Sequence, residues 1–279
     1  MRAMKARRAR RAAIPRTCAW LALVLAAARA AELPAAPELA PVPGRPAAAA
    51  ARPEELAQLA AILARFPATD PIQASLEFQL SRQSTEEHWT DQSHATVEVE
   101  DGPQGIRVGL PRSTSRQTLL ELRAQILDPA RRTPTYNALQ VLSLNEVAGD
   151  LDSAVALAQD LSLARGAEVQ AATYLGKPAR LLVLTLPPRL SLEARKHVKS
   201  AETRLSVWIG ADGLPLGAEK SEHTRGRFLV LFFENLRKQT WTYGHKGNRL
   251  FAVRHELADS ASGMGQDFRS STVAVLTVR

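Results

Sequence analysis

Cysteine is almost absent from this 279-residue chain, in which Cys18 is the only one. A single cysteine cannot form an intramolecular disulfide, and it provides no cluster of thiolates for zinc or an iron–sulfur group. The fold must therefore be held by its hydrophobic core. About 249 residues follow the first thirty, which is enough chain to bury such a core.

Recognisable catalytic and cofactor motifs are also missing. The sequence has no His-Glu-x-x-His, no Gly-x-Ser-x-Gly, no phosphate-binding loop and no dinucleotide fingerprint. His88 and His94 would lie roughly 20 Å apart on one strand, too far to chelate one metal. The acidic pairs, such as Glu98 and Glu100, suit solvated strand faces. The sequence thus predicts no catalytic residue, no metal and no cofactor, although a hydrolase with an unrecognised site stays an alternative.

Acidic residues are absent from the first thirty positions, which contain eight basic ones. A ten-residue apolar run, Ala19 to Ala28, follows the basic region, and Ala28-Arg29-Ala30 provides small residues for cleavage. This pattern predicts a signal peptide at 1–30, cut near Ala30, and a periplasmic protein. An uncleaved anchor and twin-arginine export are the alternatives. The apolar run is short for a membrane span, which needs about 20 residues.

The positive charge of the chain belongs to this first segment. The whole sequence has 36 basic and 28 acidic residues, so 28 of each follow residue 30. A formally neutral remainder does not favour nucleic acid as a partner, because nucleic-acid binding requires a basic face on the folded domain.

The composition changes twice along the rest of the chain. Residues 31–52 are rich in Pro and Ala and predict a disordered linker. Residues 53–279 predict one domain, in which alternating apolar positions indicate strands and a block at about 113–163 has the periodicity of three successive helices, the third capped by Asp150. Asp259 to Gln266 is expected to form a loop. About ten or eleven antiparallel strands would coil into an unclosed barrel. The expected fold class is α+β, mainly antiparallel β: a curled, unclosed β-barrel lidded by helices.

The clearest local signal is a hairpin over Leu205 to Ser221. Asp212-Gly213 between alternating apolar runs predicts a type I′ turn. In that register Ile209 lies opposite Leu216, and Val207 lies opposite Ala218. Trp208 then points to the other face of the sheet.

The concave face of such a sheet is predicted to be apolar and to bind a ligand. Its expected residues are Leu205, Val207, Ile209, Leu216, Phe228, Val230, Phe232, Phe251, Val253, Val273 and Val275. The expected inward residues of the helical lid are Leu119, Leu122, Ile126, Leu139, Leu142 and Val155. An ordinary packed core and a core with an open cavity fit this pattern equally well.

The layout of these elements resembles the periplasmic lipoprotein carriers, the outer-membrane lipoprotein-sorting proteins with a LolA/LolB-like fold. The residues that carry the resemblance are Tyr174 to Arg180 with Leu181 to Leu186, Leu205 to Glu219, Phe251 to Leu257 and Thr272 to Val278. The resemblance covers roughly residues 53–279. It rests on the order of the elements and the residue pattern of the hairpins, not on a catalytic motif.

The resemblance implies a non-enzymatic protein that binds lipid or lipoprotein acyl chains, in lipoprotein sorting to the outer membrane. Its partners would be a lipid or acylated lipoprotein and membrane-associated envelope proteins. The carriers' lid-locking arginine cannot be assigned, since Arg112, Arg116 and Arg123 all lie near the lid. The long linker leaves an envelope sensor or scaffold of the same fold as an alternative, which exposed Trp208 and Trp241 would favour.

Overall fold

A computed structural model describes residues 49–50, 53–84, 89–228, 231–263 and 266–279 of the chain. The predicted signal peptide, nearly all of the predicted linker, and Val230 lie outside these residues.

Eleven strands and six helices make up this part of the chain. The strands are β1 (Ala49–Ala50), β2 (Ile72–Ser84), β3 (Trp89–Gly102), β4 (Gly105–Gly109), β5 (Gly166–Tyr174), β6 (Lys177–Leu186), β7 (Val198–Ile209), β8 (Pro215–Phe228), β9 (Leu231–Lys246), β10 (Arg249–Gly263) and β11 (Gln266–Val278). The helices are α1 (Pro53–Leu63), α2 (Arg112–Leu127), α3 (Pro134–Val141), α4 (Leu144–Leu151), α5 (Ser153–Ser162) and α6 (Leu192–His197).

All eleven strands belong to one antiparallel sheet in the order β1-β5-β6-β7-β8-β9-β10-β11-β2-β3-β4. Its ends, β1 and β4, do not pair, so the curled sheet stays unclosed, and helices cover its concave face. The predicted fold class is therefore confirmed. The loop predicted over Asp259 to Gln266 is wrong in part, because β10 continues to Gly263 and pairs with β11 up to Gln266.

One row of paired residues crosses the concave face. It runs Ala49, Val169, Leu182, Val207, Ala218, Trp241, His255, Ala274, Phe78 and Ala95, each paired with the next across neighbouring strands. Because side chains alternate along a strand, this row indicates which residues of β2, β3 and β5 to β11 face the helices, as far as the bulge between Ala252 and Arg254 in β10. The row is apolar at both ends and polar in the middle, at Trp241 and His255.

Two apolar clusters lie on either side of that polar middle. Cluster A joins β2, β3 and β11 to α3 and α4, and it buries Leu76, Phe78, Val97, Val99, Leu151 and Leu276. Cluster B joins β6, β7 and β8 to α1 and α5, and it buries Leu59, Leu63, Leu157, Leu182, Leu205 and Val207. The helical block thus covers the whole width of the concave face.

The predicted helical block has four helices where the sequence indicated three. The second predicted stretch is interrupted at Ser143, whose hydroxyl accepts from Glu146 N at 3.4 Å and begins α4 as an N-cap. Asp150 was expected to cap the next helix, and this is wrong. It lies inside α4 and is buried, while Asp152 flanks α5.

The β7–β8 hairpin has the predicted register except at its end. Val207 pairs with Ala218 and Trp208 with Gly217, but Ile209 pairs with Pro215 instead of Leu216, across an irregularity. The type I′ prediction is wrong because only Gly213, with φ +83°, has positive φ. Gly213 N instead donates to Gly210 O at 3.0 Å, and Asp212 Oδ1 accepts from Leu214 N.

A two-residue turn with positive φ at both positions occurs in the β5–β6 hairpin instead. Leu175 has φ +49° and Gly176 φ +77°, and they join the paired residues Tyr174 and Lys177. Leucine is strained in this conformation, whereas asparagine is favoured there. Leu175 is also 79% exposed, so it contributes little packing.

We therefore expect Leu175→Asn to raise the free energy of unfolding by about 1 kcal/mol, because it relieves left-handed strain without losing buried surface. Urea unfolding followed by circular dichroism measures it. Leu192→Asn, on an equally exposed leucine with ordinary φ, is the matched control and should change stability by less than about 0.5 kcal/mol. An unchanged or lowered stability for Leu175→Asn would contradict the strain argument.

Candidate functional site

Part of the predicted ligand-binding face does point toward the helices. Leu205, Val207 and Ile209 are buried in cluster B, and Phe251 is buried in cluster A. Val253 packs against cluster A after a bulge between Ala252 and Arg254, and Leu216 is half-buried beside the turn. The side chain of Phe228 and all of Val230 are outside the described part of the structure.

Three residues of that predicted face lie on the outer side of the sheet instead. Val273 and Val275 are offset by one from the inward Ala274 and pair with the charged Glu256 and Arg254. Phe232 pairs with Arg227, whose guanidinium carbon lies 5.2 Å from the ring centre, and it is 69% exposed. Their placement on the concave face is wrong.

The predicted lid residues also divide into two groups. Leu139 and Leu142 pack against cluster A, as expected. Leu119 is 55% exposed and Ile126 80% exposed, while Leu122 is half-buried. Val155 is exposed as well. The inward positions of α2 are Thr114, which donates to Thr96 O at 2.8 Å, and Glu121, which accepts from Tyr136 N at 3.1 Å.

A row of polar contacts, which we call the polar seam, separates the two apolar clusters. It is formed by Asp150 with Trp241 and His255, by Arg237 with Glu146 and Asp259, and by Arg249 with Asp101 and Asp152. Asp150 lies at its centre. Its Oδ1 accepts from Trp241 Nε1 at 3.2 Å, and its Oδ2 lies 3.1 Å from His255 Nδ1. The Trp241 and His255 rings are stacked with centres 4.9 Å apart. The other ring nitrogen of His255 lies 3.4 Å from Gln239 Nε2. Asp150 thus fastens α4 to β9 and β10, and its buried carboxylate is satisfied by both.

A second contact of the polar seam lies along the same two strands. Arg237 donates to Glu146 Oε1 of α4 at 3.4 Å and lies 3.8 Å from Asp259 Oδ1. Burial, opposed by the charge of Arg237 and reinforced by nearby Glu146 and Glu222, raises the pKa of Asp259 to about 6. Asp259 is therefore destabilised in its ionised form.

This raised pKa has a defined consequence for stability. The folded protein binds a proton at Asp259 up to pH of about 6, whereas the unfolded chain releases it near 3.8, so stability falls as pH rises between these values. We expect Asp259→Asn to raise the free energy of unfolding by up to about 3 kcal/mol at pH 8 and by little at pH 4.

Urea unfolding at pH 4, 5, 6, 7 and 8 tests this prediction. The difference between the variant and the natural protein should grow from pH 4 to 6 and then stay constant. Glu202→Gln, on an exposed position of β7, is the control for a lost surface charge. A difference that is the same at every pH would contradict the assignment to Asp259.

Arg249 forms the third contact of the polar seam, at one end of it. Its side chain is only 2% exposed, and its Nη1 donates to Asp101 at 2.7 Å and to Asp152 at 2.6 Å. Its Nε donates to Asp70 O at 3.0 Å, and its Nη2 to Ala68 O. One guanidinium thus joins β10, β3, the α1–β2 connection and the α4–α5 junction. Burial raises the pKa of Asp152, although the Arg249 charge opposes this.

A separate ion pair fastens α5 to the sheet. Lys220 Nζ of β8 lies 3.0 Å from Asp160 Oδ2, and both side chains are mostly buried. Four acidic residues of the α4–α5 segment, Glu146, Asp150, Asp152 and Asp160, therefore each contact a donor on the sheet. These contacts hold the helices over the concave face at defined positions.

The space beneath the helices is nearly filled. A cavity beside Asp150 and His255, lined also by Leu76 and Phe78, has a volume of about 20 Å³, which admits a water molecule. A second cavity, between α1 and β5 to β7, has about 10 Å³. The sequence left open whether the concave face forms an ordinary packed core or a core with an open cavity. The described residues form a packed core.

A much larger space lies between α1 and α5, on the outer side of cluster B. This open groove has a volume of about 510 Å³. Its lining is apolar apart from Gln159 and Ser162, and it includes Ala60, Leu63, Ala64, Phe66, Pro67, Ala154, Val155 and Ala158. The exposed Val155, expected to face the sheet, lines this groove instead.

The polar seam was not predicted, although single signals for it exist in the sequence. Trp241 and His255 occupy inward positions of β9 and β10 near the apolar Leu257, but the same faces also contain the polar Arg237, Gln239 and Asp259, so the alternation is only a partial signal. A buried histidine and tryptophan require hydrogen-bond partners. The sequence does not say which of 28 acidic residues supplies them.

Comparison with known proteins found no match: no family model, curated protein or solved structure matches the chain. Within the described ranges, no three His, Cys, Asp or Glu side chains lie close enough together to hold a metal ion. None of the helices in those ranges has the length and hydropathy required to cross a bilayer.

Proposed function

We propose that this protein binds the acyl chains of a lipid or lipoprotein and carries them in the periplasm, as part of lipoprotein sorting to the outer membrane. The observation that supports it most directly is the open groove between α1 and α5. It is open to solvent, has a volume of about 510 Å³, and has an almost entirely apolar lining on which a hydrocarbon chain can lie.

The chemistry of the groove suits a hydrocarbon chain. Leu63, Phe66 and Ala154 form its floor and belong to cluster B, so a chain lying there continues an existing apolar core. Each methylene that leaves water contributes about 0.8 kcal/mol. The described lining contains no charged side chain, so a bound chain would not desolvate an ion.

Deeper entry would require α5 to separate from the sheet. The volume below α5 is filled by Leu157, Leu182 and Leu205, and Asp160 and Asp152 fasten the segment through Lys220 and Arg249. We therefore propose the groove as the primary site, with the ion pairs limiting access to the concave face. This arrangement supports a binding protein whose helices act as a lid.

Exposed Trp208 and Trp241 would favour the alternative of an envelope sensor or scaffold, but neither side chain is exposed in the structure. Trp241 faces the helices and donates to Asp150, and Trp208 lies against Tyr174 with ring centres 5.4 Å apart. Both side chains are half-buried.

Displacement of a fluorescent fatty acid by unlabelled lipids tests the proposal, together with mass spectrometry of lipids extracted from the purified protein. Ala60→Glu places a carboxylate in the groove and should weaken probe binding at least tenfold. Ala61→Glu changes the next residue of α1, which is exposed but does not line the groove, and should bind the probe like the natural protein.

Both variants must show the same circular dichroism spectrum and unfolding midpoint, so that lost binding reports on the groove and not on the fold. Absence of co-purified lipid together with absence of probe binding would contradict the proposed function. Equal loss of binding in Ala60→Glu and Ala61→Glu would contradict the assignment to the groove.

A further inference from the structure

Helix α2 exposes an apolar surface that nothing in the described part of the chain covers. Ile126 is 80% exposed and Leu127 87% exposed, and Leu119 and Leu120 are at least half exposed. Residues seven apart lie on the same side of a helix, so Leu119 aligns with Ile126 and Leu120 with Leu127. These two pairs form parallel columns along the sixteen-residue helix.

Two arginines lie between those columns. Arg116 precedes Leu119 and Leu120 by three and four residues, and Arg123 has the same relation to Ile126 and Leu127. Both are exposed, and neither forms an ion pair with any described residue. We call this surface, made of Arg116, Arg123 and the four apolar residues, the basic face of α2.

Negative charge is kept away from the basic face. The only acidic residue of α2, Glu121, is buried on the opposite side, where it accepts from Gln117 and from the backbone of α3. Arg112 begins the helix, and Arg131 and Arg132 follow it, against one nearby acid, Asp128. The chain after residue 30 is formally neutral, so this local excess of arginine is not a property of the whole domain.

We propose that the basic face of α2 docks the protein on an anionic phospholipid surface. A helix of about 24 Å with exposed leucine and isoleucine can lie in the membrane interface with its apolar side chains among the acyl chains. Arginines between the apolar columns extend to the phosphates, which the planar guanidinium binds through two hydrogen bonds. This inference concerns the surface on which the protein acts and does not depend on the groove.

Sedimentation with vesicles tests this docking, using the chain as isolated from an expressing cell with its N-terminus read by mass spectrometry. We expect binding to vesicles of phosphatidylglycerol and phosphatidylethanolamine, weaker binding to phosphatidylcholine, and a decline as salt rises. Arg116→Gln with Arg123→Gln should lower the partition coefficient about 25-fold, at about fivefold per arginine. Ile126→Ser with Leu127→Ser should lower it at least tenfold.

Matched variants separate the basic face from general effects of charge. Lys199→Gln with Arg204→Gln removes two exposed positive charges from β7 and should bind as the natural protein does. Arg116→Lys with Arg123→Lys keeps the charge and should retain binding within a few fold. All substituted positions are exposed, so each variant should fold normally, which thermal unfolding checks.

A local probe distinguishes α2 from any other membrane-binding segment, including the predicted signal peptide. In a Cys18→Ser background, an environment-sensitive fluorophore on Leu127→Cys should shift its emission to the blue with anionic vesicles, whereas one on Leu192→Cys of α6 should not. Unchanged partition of Arg116→Gln with Arg123→Gln overturns the proposal. Equal binding to the anionic vesicles and to the phosphatidylcholine vesicles also overturns it. The same holds if the protein binds an acidic protein but neither kind of vesicle.

Discussion

Arg249→Met is expected to lower the free energy of unfolding by about 3 to 5 kcal/mol. The substitution removes a buried guanidinium and leaves Asp101 and Asp152 without the donor they share. Two carbonyl oxygens, of Ala68 and Asp70, also lose their partner. Removing one member of a buried ion pair costs this much because the remaining charge stays desolvated. Urea unfolding monitored by circular dichroism measures the change.

Two further variants make this result specific to the Arg249 contacts. Arg254→Met removes a half-exposed arginine of the same strand and should change stability by less than about 0.5 kcal/mol. Adding Asp101→Asn and Asp152→Asn to Arg249→Met should recover part of the loss, since no buried charge is then left alone. A loss below about 1 kcal/mol for Arg249→Met would show that the polar seam does not hold the helices.

Val207→Lys should be the most damaging substitution on the concave face, with a loss of at least about 4 kcal/mol or failure to fold. Val207 is fully buried in cluster B, where it pairs with Leu182 and Ala218. An ammonium group there would have no acceptor among these side chains, and an unpaired buried charge is among the costliest changes in a protein.

Ser206→Lys is the matched control, because it introduces the same side chain one residue earlier. Ser206 points to the outer face and pairs with Glu219, so a lysine there should change stability by less than about 0.5 kcal/mol. Soluble yield, circular dichroism and unfolding midpoint compare the two variants. Equal tolerance of both would mean that the faces of β7 are assigned wrongly.

Strand faces were predictable where apolar and polar residues alternate cleanly. Along β7, Leu205, Val207 and Ile209 alternate with Arg204, Ser206 and Trp208, which are polar or amphipathic, so the inward set is unambiguous. In β11 both Val273 and Ala274 are apolar, and the pattern does not distinguish the faces. The larger side chains were assigned inward, but the structure places the smaller Ala274 there, where it pairs with Phe78 and His255.

The orientation of α2 could not be predicted from hydrophobicity. The leucines of this helix suggested an inward face, yet the buried positions are Thr114 and Glu121. Glu121 satisfies a backbone amide at the start of α3, a need that arises only after the two helices pack. A polar contact between elements therefore determined which side of α2 is exposed.

The polar seam could not be predicted from the sequence for a related reason. Asp150 and His255 are 105 positions apart, and each has an ordinary local interpretation. Only the register of β9 and β10 brings Trp241 and His255 together beneath α4. Long-range pairing of this kind is set by the whole sheet, and no local window of sequence contains it.

The position of β11 in the sheet has a consequence for biosynthesis. This strand lies between β10 and β2, so residues made nearly two hundred positions apart become neighbours. Until it has left the ribosome, β2 to β4 and β5 to β10 are separate pieces, each with an unpaired edge strand that can recruit other chains. Folding should be slow and completed late, since such distant pairing is costly to nucleate. The sheet can therefore be completed only after β11 has been synthesised.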